Sequence, residues 1–247
     1  MNSAEAEAFL PATNEFLESI LHLAPRVAAF DCDGTLWSGD AGERFFDWEL
    51  REDVFPDSLG CGTLSQSLRE RYAAYKRGEV DETTMCGEMV TMHQGISEHK
   101  LMAAAARFFD QFFVPQIFPE MREIVRRLRE SGCELWAVSS SNEWVIRAGM
   151  KHFGIPENRI LAAKVELQDD IATDRLVRVP SGDGKPQALR EVVKKQIDAA
   201  FGNSRWDTEM LAMAKHAVVV NPNPDLESTA RERGWRIYFP EGTRSPG

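Results

Sequence analysis

The 247-residue sequence has four cysteines, Cys32, Cys61, Cys86 and Cys133, and none forms a CxxC pair. A zinc knuckle is thereby disfavoured. It also lacks a Lys/Arg block long enough to follow a phosphate backbone. The stretch "REIVRRLRE" alternates its signs along a predicted helix. With a net charge of −10, the chain has no electrostatic footprint for nucleic acid. No apolar run approaches the roughly 20 residues of a membrane span, so a membrane partner is not expected. The acidic N-terminus carries no basic segment followed by an apolar one, so no secretory signal is expected. These absences predict a cytoplasmic protein with reduced thiols. Internal repeats and low-complexity tracts are missing too, and the five histidines form no ligand cluster.

What is present is an ordinary globular balance, 43% hydrophobic and 28% charged. The length suits one large core, or one domain carrying a smaller insert. Residues 3–23 predict a helical lead-in, broken at Pro11 and restarted at Thr13, with an apolar stripe of Phe16, Leu17, Ile20 and Leu21. "RVAAFD" then predicts a short buried strand. From residue 38 to residue 114 no strand is expected. Four helix-like segments follow one another there, punctuated by glycine.

Beyond residue 115 apolar strands alternate with amphipathic helices. "CELWAVS", "RILAAKVEL", "RLVRV", "AAFGN", "HAVVV" and "WRIYF" predict strands; the stretches opening at Pro119, Asn142, Lys185, Asp207 and Asp225 predict helices. This alternation predicts a parallel sheet covered on both faces. Such sheets bind ligands at the carboxyl ends of their strands. Four polar clusters fall at such places: Asp31-Cys32-Asp33-Gly34-Thr35, Ser139-Ser140-Ser141-Asn142, Ser181 to Pro186, and Gly202 to Asp207. All four are expected to converge on one crevice.

That inventory suits phosphoryl transfer. A carboxylate can attack phosphorus and form an aspartyl-phosphate. A second can protonate the leaving oxygen and then deprotonate water. Hydroxyls and helix N-terminal N–H groups hold anions, and a lysine opposes phosphoryl charge. Mg²⁺ takes hard oxygens and keeps several waters, so one or two side chains suffice. A calcium loop is excluded by spacing, because an EF-hand counted from Asp31 would need Gly sixth and an acid twelfth, where Leu36 and Gly42 stand.

These residues carry a family resemblance. The chain resembles the haloacid dehalogenase (HAD) superfamily, in its phosphoserine-phosphatase-like branch, over about residues 26–240. "DCDGT" is similar to that family's first motif, "AVSSS" to its second, Lys185 to its third and "GNSRWD" to its fourth. The resemblance implies a Rossmann-like parallel-sheet core, residues 1–37 and 115–247, and a small helical type C1 cap, residues 38–114, inserted after the first strand. It implies that Asp31 is the nucleophile and a metal ligand. Asp33 is implied as general acid/base, with its main-chain carbonyl on Mg²⁺. Ser139 and Lys185 would hold the transferring phosphoryl group, with Gly34 and the N–H groups near Ser140 enclosing it. Asn203 and Asp207 would complete the metal side. Many relatives have aspartate where Asn203 stands, and an amide brings no charge, which implies weaker metal affinity.

An acid at Asp33 points to a phosphatase or phosphotransferase acting on a small phosphorylated metabolite, since dehalogenases lack it. Phosphoserine, phosphocholine and phosphoethanolamine all suit this reading. Two alternatives accompany it: a phosphotransferase or mutase using the same nucleophile, and a catalytically silent binding module. For substrate selection, Trp37, Phe45, Phe46 and Trp48 could form an aromatic box for a quaternary ammonium, or simply the core stripe of the helical insert. Asp40 and Glu43 could pair with a substrate amine.

Overall fold

The computed structural model describes residues 9–56 and 63–243. The first helix, α1 (Pro11–Leu21), starts at Pro11 and is not broken by it. Proline costs nothing at a first helical position, where the amide has no intrahelical acceptor. The expected stretch before residue 9 lies outside the described residues.

β1 (Val27–Phe30) is the centre of the sheet. It alternates between two cores: Ala28 and Phe30 join one apolar cluster, Val27 and Ala29 the other. The helices α2 (Ala41–Arg51), α3 (Thr63–Lys76), α4 (Glu82–Thr91) and α5 (Glu98–Phe112) come next, before the chain returns through α6 (Pro119–Glu130) to β2 (Glu134–Asn142). Departure and return are zipped together. Ser38 N–H donates to Gln116 O at 2.9 Å, and Phe118 N–H to Leu36 O at 3.0 Å.

The rest alternates: α7 (Glu143–Lys151), β3 (Ile160–Gln168), β4 (Ile171–Arg178), α8 (Gly184–Val192), β5 (Ala199–Gly202), α9 (Thr208–Met213), β6 (His216–Val220), α10 (Pro224–Arg233) and β7 (Arg236–Tyr238). Among the described residues the sheet has seven strands in the order β4-β3-β2-β1-β5-β6-β7. It departs from the all-parallel expectation at one edge. β4 runs antiparallel to β3, through a tight turn in which Asp169 and Asp170 both take positive φ, 51° and 62°. Short polar residues tolerate that conformation best after glycine.

This hairpin ties the helical insert to the sheet. Gly95 N–H donates to Ala172 O, Ala172 N–H to Ile96 O, and Glu98 N–H to Asp170 O, all at 2.8–2.9 Å. The larger apolar cluster runs without a break from Phe30 through Phe45, Met85 and Phe108 to Trp144. The insert therefore packs directly on the core around the carboxyl ends of the central strands.

Candidate active site

β1 ends at Phe30, and the ladder continues one step as Asp31 N–H donates to Phe201 O of β5 at 2.9 Å. The next residues must turn away from the sheet. Gly34 makes this turn at φ +75°, and a Cβ there would lie 1.9 Å from Asn203 Nδ2. Only glycine allows both the left-handed backbone and the approach of Asn203.

The turn aims two aspartates differently. Asp31 is buried. Thr35 Oγ1 donates to its Oδ2 at 2.7 Å, and Lys185 Nζ to its Oδ1 at 2.7 Å. Burial, then the Asp207 charge, push Asp31 up to about 7 against the pull of Lys185 and Thr35. Asp33 points toward the entry of α2. Its Oδ1 accepts from Trp37 Nε1 at 2.8 Å and Ala41 N–H at 2.6 Å; its Oδ2 accepts from Ser141 Oγ at 2.7 Å. Burial raises its pKa above the usual carboxylate range, although Ala41, Ser141 and Trp37 counter it. Ser141 reaches Asp33 across α2 because Gly42 stands between them. A Cβ at Gly42 would lie 2.3 Å from Ser141 Oγ.

β2 supplies the serines. The strand runs to Asn142, with its register shifting between Val138 and Asn142, so the polar cluster belongs to an irregular strand end. Ser139 Oγ accepts from Ser141 N–H at 3.0 Å, and Asn142 Oδ1 caps α7 by accepting from Val145 N–H at 3.0 Å. Ser140 Oγ donates to Glu82 Oε1 at 3.1 Å, and Ser181 Oγ donates to the same oxygen at 2.9 Å.

Lys185 lies in the first turn of α8 with 2% of its side chain exposed. Its three N–H groups are all used, by Asp31 Oδ1, by Asp207 Oδ1 at 2.6 Å and by Val138 O at 3.2 Å. Burial opposes the charge, but Asp207 and Asp31 outweigh it and hold the Lys185 pKa above its ordinary value. Asp207 faces Lys185 from below the cavity. It is fully buried, and its Oδ2 accepts from Asn203 N–H and Ser204 N–H at 3.0 Å each. It sits behind Lys185, where it secures the ammonium and the loop carrying Asn203.

These groups surround one cavity of about 410 Å³. Asp31, Asp33, Gly34, Ser139, Ser140, Lys185 and Asn203 line it on the sheet side. Asp40 and Glu43 line it from α2. Glu43 is already held by Tyr72 Oη at 2.8 Å and Lys76 Nζ at 2.7 Å. Asp40 caps α2 through Glu43 N–H, and burial, then the Asp33 and Glu43 charges, raise its pKa well above normal.

The aromatic box is not there. Trp37 is fully buried against Phe109, Phe113 and Phe153, and Phe45 and Trp48 pack on Phe108. They are core, because an apolar helix face next to a sheet is worth more buried than exposed. Trp37 still touches the site, through its bond to Asp33. Sequence reasoning missed Glu82, Tyr75, Met85, Cys86 and Met89, which close the cavity from α3 and α4. The spacing of Glu82, Met85, Cys86 and Met89 marks one helical face, a signal that reads equally as core.

Whether these residues suit a metal can be judged from their chemistry. Among the described residues no group of three His, Cys, Asp or Glu side chains is gathered to hold one. Beside the end of β1 the cavity offers the Asp31 carboxylate and the Asn203 amide, both hard oxygens, while the sulfurs of Met85, Cys86 and Met89 line it from α4. The sparse oxygen set fits Mg²⁺, which keeps much of its water, and not a thiolate- or imidazole-seeking ion.

The profile of the haloacid dehalogenase-like hydrolases matches residues 28–212. The chain belongs to this family. A phosphoserine phosphatase of Mycobacterium tuberculosis is 26% identical over 216 residues, covering 85% of this chain and 69% of that protein. A histidinol-phosphatase of Neisseria meningitidis is 24% identical over 221 residues, covering 85% and 97%. Among solved structures, a Bordetella pertussis protein of unknown function superposes with a TM-score of 0.74 at 22% identity, over 86% of this chain and 97% of the other. A substrate-bound phosphoserine phosphatase superposes with a TM-score of 0.55 at 14% identity, over 82% and 89%. These structural matches establish a shared fold: a mostly parallel α/β sheet of the Rossmann-like kind.

Proposed function

We propose that this member of the hydrolase family is a Mg²⁺-dependent phosphatase that hydrolyses a small phosphomonoester through an aspartyl-phosphate on Asp31. One observation carries the reading. Asp31 and Asp33 on one turn, Ser139 at the end of β2 and Lys185 in α8 come from three separated segments and meet at one cavity, with the two aspartates in different environments. The relatives named as phosphatases of phosphoserine and histidinol phosphate support the same reaction class.

In this reading an Asp31 oxygen attacks phosphorus as the bond to the alcohol oxygen breaks. Asp33, raised by burial yet fixed by three donors, gives its proton to the departing alcohol. It then takes a proton from the water that attacks the aspartyl-phosphate, which frees phosphate and restores Asp31. Lys185 and Thr35 hold one Asp31 oxygen each and fix the carboxylate's orientation. Ser139 and the N–H groups near Ser140 would receive the phosphoryl oxygens. Mg²⁺ would be held by Asp31, the Asp33 carbonyl and Asn203, with Asp207 acting behind them, and would neutralise phosphoryl charge when bound. We assign residues 38–114 as the cap that closes the cavity, and residues 1–37 and 115–247 as the core. The cytoplasm is the proposed compartment, in keeping with the free thiols of Cys32, Cys86 and Cys133.

The test is hydrolysis of p-nitrophenyl phosphate with Mg²⁺. Asp31→Asn should lose at least about 10³-fold in kcat, because the nucleophile is gone. An Asp31→Asn protein that keeps wild-type turnover would refute the mechanism.

A further inference from the structure

The cavity has an unusual charge balance. Among the described residues five carboxylates line the cavity, Asp31, Asp33, Asp40, Glu43 and Glu82, against one cation, Lys185. That cation is consumed, since its three N–H groups go to Asp31, Asp207 and Val138. Asp31 and Asp33 belong to the chemistry. Glu43 has its own counter-ion in Lys76. This leaves Asp40 and Glu82.

Glu82 is the more informative of the two. It opens α4, where a carboxylate gains from the helix dipole and needs no ligand to explain it. A dipole-stabilised acid normally points to water. Glu82 is instead 7% exposed and faces the cavity. Its Oε1 accepts from Ser140 and Ser181, while Oε2 has no hydrogen-bond partner among the described residues. Among the described residues no lysine, arginine or histidine forms a salt bridge with it. A largely buried carboxylate with one oxygen left open toward the cavity is placed to accept from a cation arriving with the substrate.

The surroundings fit a compact cation. Met85, Cys86 and Met89 continue the Glu82 face of α4 along the cavity, and Tyr75 lines it from α3. Burial, followed by the nearby acids, raises the Tyr75 pKa, so its hydroxyl stays neutral. Glu82 is one hydroxyl away from the strand end that would receive the phosphoryl group, because it binds Ser140 directly. The positive group therefore belongs near the phosphate. A substrate carboxylate, by contrast, would face Asp40 and Glu82 with no cation to meet it.

We propose that Glu82 is a specificity residue, and that the substrate is a phosphomonoester of a small amino alcohol, carrying an ammonium group and no carboxylate. The proposal rests on the phosphatase reading and narrows it, away from amino-acid phosphates.

The experiment compares three probes: 2-aminoethyl phosphate, ethyl phosphate and O-phosphoserine. Wild-type kcat/KM with Mg²⁺ should favour 2-aminoethyl phosphate over each of the others by about tenfold or more. Glu82→Gln, which keeps an oxygen acceptor for both serines, should bring the 2-aminoethyl to ethyl ratio close to one, mainly through KM. A ratio that survives Glu82→Gln, or a wild type that prefers O-phosphoserine, would overturn the proposal and leave Glu82 as a structural clasp on Ser140 and Ser181. Calorimetric binding of the same probes to Asp31→Asn separates the two readings. An ammonium preference in binding without any wild-type turnover would keep the subsite and reject the phosphatase. No ammonium preference in binding would reject the subsite, whatever the turnover.

Discussion

At the scale of single residues, the two aspartates of "DCDGT" differ because their neighbours differ. Asp31 meets Lys185 and Thr35, whereas Asp33 meets an indole, a main-chain amide and a serine. The raised pKa of Asp31 has a consequence for stability. Without metal the folded protein holds a proton on Asp31 up to about pH 7, while an unfolded aspartate releases it near pH 4. The folded state therefore binds more protons between those values, and its stability falls as pH rises through them, by at most about 1.4 kcal/mol per unit. Denaturant midpoints in EDTA at pH 5 and pH 7.5 check the sign. Wild type should lose stability relative to Asp31→Asn on going to pH 7.5; parallel behaviour of the two proteins would show that Asp31 does not titrate there. The nature of this pair is legible in the sequence as far as its spacing. The separate environments are not, since Lys185 lies 154 residues from Asp31 and Ser141 lies 108 from Asp33.

At the scale of elements, the strand ends are what the apolar runs announce. β1, β2 and β5 carry their polar residues to one edge because each strand is apolar up to that point and must end where water or ligand begins. The hairpin β3–β4 is less legible. An Asp-Asp turn is a weaker hairpin signal than Asn-Gly or Asp-Gly, so an antiparallel edge strand reads like one more parallel strand. The same turn fastens α5, through Glu98 N–H on Asp170 O. Asp170→Ala puts a side chain without a local acceptor at φ 62° and should lower stability by about 1 kcal/mol. Amide exchange at Glu98 should quicken with it; an unchanged Glu98 would mean that the turn does not anchor the helix. The helices of the insert were legible as helices, but not which faces see the cavity. Phe45 and Trp48 face the core, while Glu82 and Cys86 face the site, although both sets follow helical spacing.

At the scale of the molecule, the sheet gathers the chemistry and the inserted helices complete the enclosure. The sheet side brings Asp31, Asp33, Lys185 and the serines of β2; the helical side brings Asp40, Glu43 and Glu82 and the thioethers of Met85 and Met89. On the proposed reading, this division is why motifs far apart in sequence point to the reaction, whereas substrate choice would lie in contacts between α4 and the strand ends. It also ties the helical wall to the strand ends, because Glu82 binds Ser140 at the end of β2 and Ser181 ahead of α8. The central claim is that phosphate passes through Asp31. Rapid quenching during Mg²⁺-dependent turnover, reduction of the acyl-phosphate with borohydride and peptide mass spectrometry test it directly. The account predicts homoserine at position 31 and nowhere else, and none when substrate is omitted. Turnover without reduction at position 31, or with the label on another residue, would contradict it.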